Sequence, residues 1–137
     1  MNTTTAASLA KQLLTRAIAV DSRTERILRG ELRDVSELAR EAGFIWPVAV
    51  TAAVWQQIEA IPPSQSHQDV TGRLWDVLWM GYMAIRRMGQ STQPELLYRL
   101  IMHVGRNTYI TLKIVMGVDA GGEPVLTIAL PDEEVRQ

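Results

Sequence analysis

Asp76 is the acidic residue best placed for chemistry, because it lies in the most apolar stretch of the chain, GRLWDVLWMGYMAIRRMG, residues 72–89. A carboxylate in apolar surroundings can have a raised pKa and serve as a general acid or base. Such catalysis also needs a second acid, a nucleophile or an ordered histidine, and none stands at a recognisable spacing. Arg73, three residues earlier, favours a structural ion pair. We therefore predict no catalytic residue.

The other reactive residue types give no site either. His67 lies in a polar, proline-bearing linker, and neither it nor His103 has a partner in a known motif. The chain has no cysteine, which excludes thiolate nucleophiles and thiolate metal sites. The segment GVDAGGEP is a turn that lacks the Lys-Ser/Thr of a phosphate loop. We predict a protein that is not an enzyme and that has no cofactor and no metal.

A helix-turn-helix is the first binding site to consider. The segment SELAREAGF, followed by a helix that begins at Pro47, has a small residue and a turn glycine where such motifs need them. The second helix would read DNA through Thr51, Gln56 and Gln57. It contains no lysine or arginine, although phosphate contacts dominate the affinity for DNA. DNA binding through residues 36–57 is therefore the alternative hypothesis.

The second candidate is the outer face of a predicted sheet. Alternating residues of the three predicted strands would place polar and basic side chains on that face: Arg99, His103, Tyr109, Thr111, Lys113 and Thr127. An ordinary solvated face is the plain interpretation of this pattern. The functional interpretation is a face that binds an anion, a nucleic-acid strand or a protein. Open strand edges beside it could add a strand from a partner.

The elements that position these residues follow from periodicity. Two apolar stripes at helical spacing make the segment around Asp76 the central helix, which must be covered on more than one side. We predict helices over about residues 6–20, 22–29, 35–42, 47–61 and 70–88, and strands over about 97–104, 108–116 and 124–130. The fold class is α+β, with the helical N-terminal two thirds packed on one face of a C-terminal three-stranded antiparallel β-meander. The acidic tail from residue 131 is expected to be frayed.

Composition limits the class of protein. A length of 137 residues predicts a single domain, 1–137, and a net charge of -1 gives no bulk attraction to nucleic acid. The first residues lack the order of a signal peptide, and no apolar run is long enough to span a membrane. We expect a cytoplasmic protein that contacts no membrane. The four tryptophans and six methionines fill a core or an interface.

Three stretches carry a resemblance to a known family. AGF-x-WPVAVT-x-AVW, GRLWDVLWM and the closing GGEPVLTIALPDE resemble an uncharacterised family of small proteins encoded on plasmids, phages and other bacterial mobile elements. The resemblance runs from about residue 30 to 133 and leaves out residues 1–29 and the hairpin at 103–108. It assigns no catalytic or ligand residue. It implies a context in which small proteins bind and blunt host defences.

The leading hypothesis joins this resemblance to the lack of a catalytic constellation. It is a non-enzymatic protein-binding accessory protein of a mobile element, in its most specific form an anti-CRISPR or anti-restriction inhibitor. Its partner would be a host protein or ribonucleoprotein complex rather than free nucleic acid. The predicted contact surface is the outer sheet face with Arg99, His103, Tyr109, Thr111 and Lys113.

Overall fold

The computed structural model describes residues 3–61, 69–89, 93–103, 107–119 and 121–135. In chain order its elements are α1 (Thr3–Leu28), β1 (Leu32–Asp34), α2 (Ser36–Ala42), β2 (Val48–Thr51), α3 (Ala52–Glu59), α4 (Val70–Met88), β3 (Glu95–His103), β4 (Asn107–Val118) and β5 (Pro124–Ala129). The five strands form one sheet in the order β1-β2-β5-β4-β3.

The sheet corrects the predicted fold class. A three-stranded antiparallel meander is wrong, because β2 pairs in parallel with β5 and carries β1 antiparallel on its other side. The meander β3-β4-β5 is only part of this mixed sheet. The strand β2 was not predicted, because its four residues VAVT, 48–51, are all buried. A strand covered on both faces has no alternating pattern, so its apolar run cannot be told from a helix by period.

Two helix predictions are wrong for related reasons. The predicted helix over 47–61 is divided into β2 and α3, and Thr51 caps α3 by accepting a hydrogen bond from the Val54 N–H at 3.3 Å. The predicted helices over 6–20 and 22–29 are one helix, α1. Asp21 and Ser22, at the boundary between the two predicted helices, are residue types that favour a helix start, but such residues without Gly or Pro do not by themselves end a helix.

The core lies between α4 and one face of the sheet. Leu74, Val77, Leu78 and Gly81 are the buried apolar face of α4, whose bounds agree with the predicted helix over 70–88. They pack on the even-numbered side chains of β3 and β4, together with Leu126 and Ile128 of β5. A Cβ on Gly81 would lie 3.2 Å from Ile114 Cδ1. The missing side chain therefore allows α4 to approach the sheet closely.

Arg73 joins α3 to the first turn of α4. The residue is only 4% exposed, and its guanidinium donates hydrogen bonds to the carbonyls of Gln57 and Ala60 at 3.1 and 3.0 Å. These carbonyls end α3, where unpaired acceptors and the negative end of the helix dipole favour a cation. Arg73 therefore acts as a C-terminal cap supplied by another helix.

Tyr98 supplies a buried polar contact between β3 and α4. Its hydroxyl donates to the Val77 carbonyl at 2.9 Å, and burial raises the pKa of Tyr98 far above its usual value. Because the unfolded phenol ionises near pH 10 and the folded one does not, this residue's contribution to stability is complete below about pH 10. It decreases above that pH, since the unfolded state then releases a proton that the folded state retains.

We expect Tyr98→Phe to lower the free energy of unfolding by about 1 kcal/mol at pH 7, where the loss is that of one hydrogen bond. The difference from the wild type should shrink as the pH rises above 10, because phenylalanine cannot ionise in the unfolded state. Urea denaturation at pH 7 and at higher pH measures both effects. Tyr109→Phe, at an exposed position, is the control. A difference that stays constant with pH would contradict the assignment.

Candidate functional site

The outer face of the sheet, opposite α4, is covered over only part of its width. Odd-numbered residues of β4 and β5 lie on this face, and those nearest β2 are buried: Lys113, Val115, Val125, Thr127 and Ala129. Arg23 of α1 reaches this region and donates to Thr127 Oγ1 at 3.2 Å and to the Leu126 carbonyl at 3.3 Å. Burial lowers the pKa of Arg23.

The C-terminal segment covers more of the same region. Glu133 Oε2 accepts hydrogen bonds from the Leu130 N–H at 2.8 Å and from the Thr51 hydroxyl at 2.7 Å. The Glu133 carbonyl accepts a hydrogen bond from Lys113 Nζ. The expectation of a frayed tail is therefore wrong as far as Glu133, because this residue ties β2, β4 and the chain after β5 together.

Lys113 does not belong to an exposed site, contrary to the prediction. It is 6% exposed, and its ammonium lies 3.7 Å from Glu95 Oε1 in addition to its bond to Glu133. The period-two alternation of β4 correctly predicted that Lys113 lies on the outer face. The prediction failed because the covering segment comes from a distant part of the sequence.

Over the described residues, the rest of the outer face is exposed and carries a patch on β3 and β4. Leu97 is 61% exposed and Tyr109 67% exposed, and Arg99 lies between them in an exposed position. Ile101, 44% exposed, is directly opposite Tyr109 in the strand register. The Arg99 guanidinium carbon lies 5.3 Å from the centre of the Tyr109 ring. We call Leu97, Arg99, Ile101 and Tyr109 the outer patch.

The outer patch contains two of the five predicted residues. Thr111, opposite Arg99, is half-buried beside it, and the side chain of His103 lies outside the described part of the structure. Leu97 and Ile101 were missed, although their alternation with buried Tyr98 and Leu100 already placed them on this face. A large apolar residue on an exposed sheet face can indicate an interaction site just as a charged residue can, because its exposure to water is unfavourable.

The helix-turn-helix geometry is not present. Between α2 and α3 the chain forms β2, a central strand of the sheet, so the two helices are not joined by a turn. Thr51 is buried and bonded to Glu133, which leaves Gln56 and Gln57 as the exposed members of the predicted set. DNA binding stays a prediction without the arrangement on which it was based. Titration with duplex DNA at low salt tests it.

Asp76 and Arg73, which were considered for chemistry, are both on α4 but differ in burial. Asp76 is exposed on α4, whereas Arg73 is buried and its guanidinium donates to the end of α3. His67 falls outside the described residues. Within the described ranges, no group of three or more potential ligands could hold a metal ion. Among the same residues, no helix has the length and apolar character of a membrane span.

A second exposed surface lies on the aromatic side of α4. The rings of Trp75 and Trp79 stack with centroids 6.1 Å apart, and Tyr82 follows at 5.9 Å from Trp79. Trp79 is 41% exposed, so the second stripe of α4 is not fully covered as predicted. Beside it, a cleft of about 270 Å³ is lined by residues that include Tyr82 and Ile45, which is 86% exposed.

Comparison of the chain with models of protein families, with curated proteins and with solved structures gives no match.

Proposed function

We propose that this chain is a non-enzymatic protein-binding protein and that the outer patch is its contact surface. The observation that carries the proposal is the exposure of Leu97, Ile101 and Tyr109 on one face of the sheet, where Ile101 lies opposite Tyr109 and Leu97 lies beyond Arg99 on the same strand. Large apolar side chains cost free energy in water, and a contiguous group of them is typical of an interaction site. Tyrosine and arginine are also the residue types enriched at the centres of protein interfaces.

The arrangement of Arg99 and Tyr109 supports protein binding rather than general solvation. The guanidinium lies over the tyrosine ring, so both side chains are held in place before a partner arrives. A held side chain loses less entropy on binding than a free one. The half-buried Thr111 and the ends of the strands supply polar groups for a rim around this centre.

The resemblance to proteins of mobile elements favours a particular partner. Under this proposal the chain is an accessory protein of such an element, and its partner is a host effector complex of a CRISPR or restriction system. Inhibition would follow from occupation of a surface on that complex, without chemistry by this chain. This part of the proposal depends on the resemblance alone.

We expect Tyr109→Ala to weaken binding to the partner at least tenfold, which corresponds to about 1.4 kcal/mol and is typical of a central interface tyrosine. The partner is first captured with the tagged wild-type protein from nuclease-treated host lysate. Its affinity for purified variants is then measured by calorimetry. Ile45→Ala removes an apolar side chain that is even more exposed than Tyr109 from the cleft beside α4, and it should leave the affinity unchanged. If Ile45→Ala weakened binding and Tyr109→Ala did not, the binding site would lie in the cleft beside α4. If nuclease treatment removed the partner, binding to nucleic acid would be favoured.

A further inference from the structure

Among the described strands, β3 forms one edge of the sheet. It is the outermost strand on its side and has nine residues, whereas β1 at the other edge has three. Long edge strands accept further strands unless proline, lysine or a bulge protects them. β3 contains no proline and no lysine, and its pairing with β4 is continuous from Glu95 to His103.

The hydrogen bonds to β4 determine which backbone groups of β3 are free. The Met116 N–H donates to the Pro94 carbonyl at 2.8 Å, and these two residues are opposite each other in the continued register. In an antiparallel pair the bonded residues recur at every second position. The even-numbered residues of β3 therefore bond to β4. The odd-numbered residues direct their N–H and C=O groups outward: Glu95, Leu97, Arg99, Ile101 and His103.

Space beside this edge is open. A groove of about 460 Å³ is lined by α4 residues, among them Met80, Ala84 and Arg87, and by the segment of β3 from Leu96 to Arg99. The side chains of Glu95 and Leu97 are 56% and 61% exposed. An added strand can thus reach the outward groups of β3 without moving any described element.

We propose that β3 pairs with β3 of a second copy of this chain, antiparallel about a two-fold axis through Leu97. The two five-stranded sheets then form one continuous sheet. In this register Leu97 lies opposite Leu97 of the second copy. Glu95 lies opposite Arg99 of the second copy, and the symmetry repeats this pair at the other end. Opposite charges directly across a strand pair stabilise it, and an apolar pair between them completes the match.

Charge decides against the other registers. A two-fold axis through Arg99 sets two like charges directly opposite each other, although it brings Glu95 opposite His103. An axis through Ile101 places Arg99 opposite His103, and an axis through Tyr98 places Arg99 opposite Leu97. Only the axis through Leu97 pairs Glu95 with Arg99. Leu97, Arg99 and Ile101 belong both to the outer patch and to this edge. Tyr109 is on β4, so Tyr109→Ala tests the outer-patch partner without changing any residue of β3.

Reversal of each charge tests the pairing. We expect the wild type to dimerise in sedimentation equilibrium at concentrations up to about 1 mM, where even a weak dimer is populated. Glu95→Arg and Arg99→Glu should each raise the dissociation constant at least tenfold, and the double variant should restore it, since the opposite charges are exchanged. Urea denaturation controls for the loss of the Glu95 contact to Lys113. A wild type that stays monomeric, including one that binds only a peptide of another protein at this edge, would overturn the proposal.

Single cysteines test the register directly, because the chain has no cysteine of its own. Leu97→Cys should cross-link under mild oxidation, since the Cα atoms of a bonded antiparallel pair are about 5.5 Å apart, within the disulfide range. Ile101→Cys is the matched control, because the two copies of residue 101 would be about 26 Å apart along the strands. A dimer that cross-links equally through both cysteines, or through neither, would refute the axis at Leu97.

Discussion

Replacement of Arg73 by methionine is expected to lower the free energy of unfolding by about 3 kcal/mol. Methionine keeps most of the apolar stem and removes the guanidinium, so the loss is that of the charged hydrogen bonds to the end of α3. The carbonyls of Gln57 and Ala60 accept these bonds at 3.1 and 3.0 Å. Hydrogen bonds to charged groups contribute more than neutral ones, and a cation at a helix C-terminus adds to them.

Arg87→Met is the matched control for Arg73→Met. It makes the same substitution on the same helix at an exposed position, where an effect within about 0.5 kcal/mol is expected. Arg73→Lys keeps the charge but not the planar fork, so it should lie between the wild type and Arg73→Met. Urea denaturation followed by circular dichroism measures all three variants. Equal midpoints for Arg73→Met and Arg87→Met would contradict the capping role.

The difference between the predicted and observed sheets has a local cause. Val50, Val54 and Ile58 recur at helical spacing, and this pattern continues through Thr51, where the strand β2 changes into α3. The β-branched residues of VAVT were the signal for a strand, but four residues are too few to separate the two periods. The segment 48–51 forms a strand because it pairs with β5, which lies more than seventy residues later in the chain. That pairing is a long-range contact, which periodicity does not report.

The candidate surface was predictable to a different extent. Period-two alternation correctly placed Arg99, Tyr109 and Lys113 on one face of the sheet. Alternation does not tell which part of a face another segment covers. Here Arg23 and Glu133 reach the part near β2 from opposite ends of the chain, so Lys113 is buried while Tyr109 stays exposed. Which half of the face stays open therefore depends on contacts that the strand sequences do not contain.

Gly43→Ala is expected to lower the free energy of unfolding by about 3 kcal/mol, for two separate reasons. Gly43 ends α2 with φ +121°, a conformation that alanine rarely adopts. A Cβ at this position would also lie 2.7 Å from Cζ of Tyr82, well inside van der Waals contact. The ring of Tyr82 must shift to admit this atom, and its contacts with Phe44 at 5.8 Å and with Trp79 at 5.9 Å oppose that shift.

Two further variants separate these causes in the same urea denaturation experiment. Gly30 has φ +79° and no atom within 4 Å of a Cβ, so Gly30→Ala reports the backbone cost alone, about 1 kcal/mol. In a Tyr82→Leu background the ring is absent, and Gly43→Ala should then cost little more than Gly30→Ala. A cost in that background as large as in the wild type would assign the whole effect to the backbone. If Gly43→Ala costs less in the Tyr82→Leu background than in the wild type, the difference is the cost of the contact with the Tyr82 ring. Glycine would then be required at position 43 because this ring packs against it where α2 meets α4.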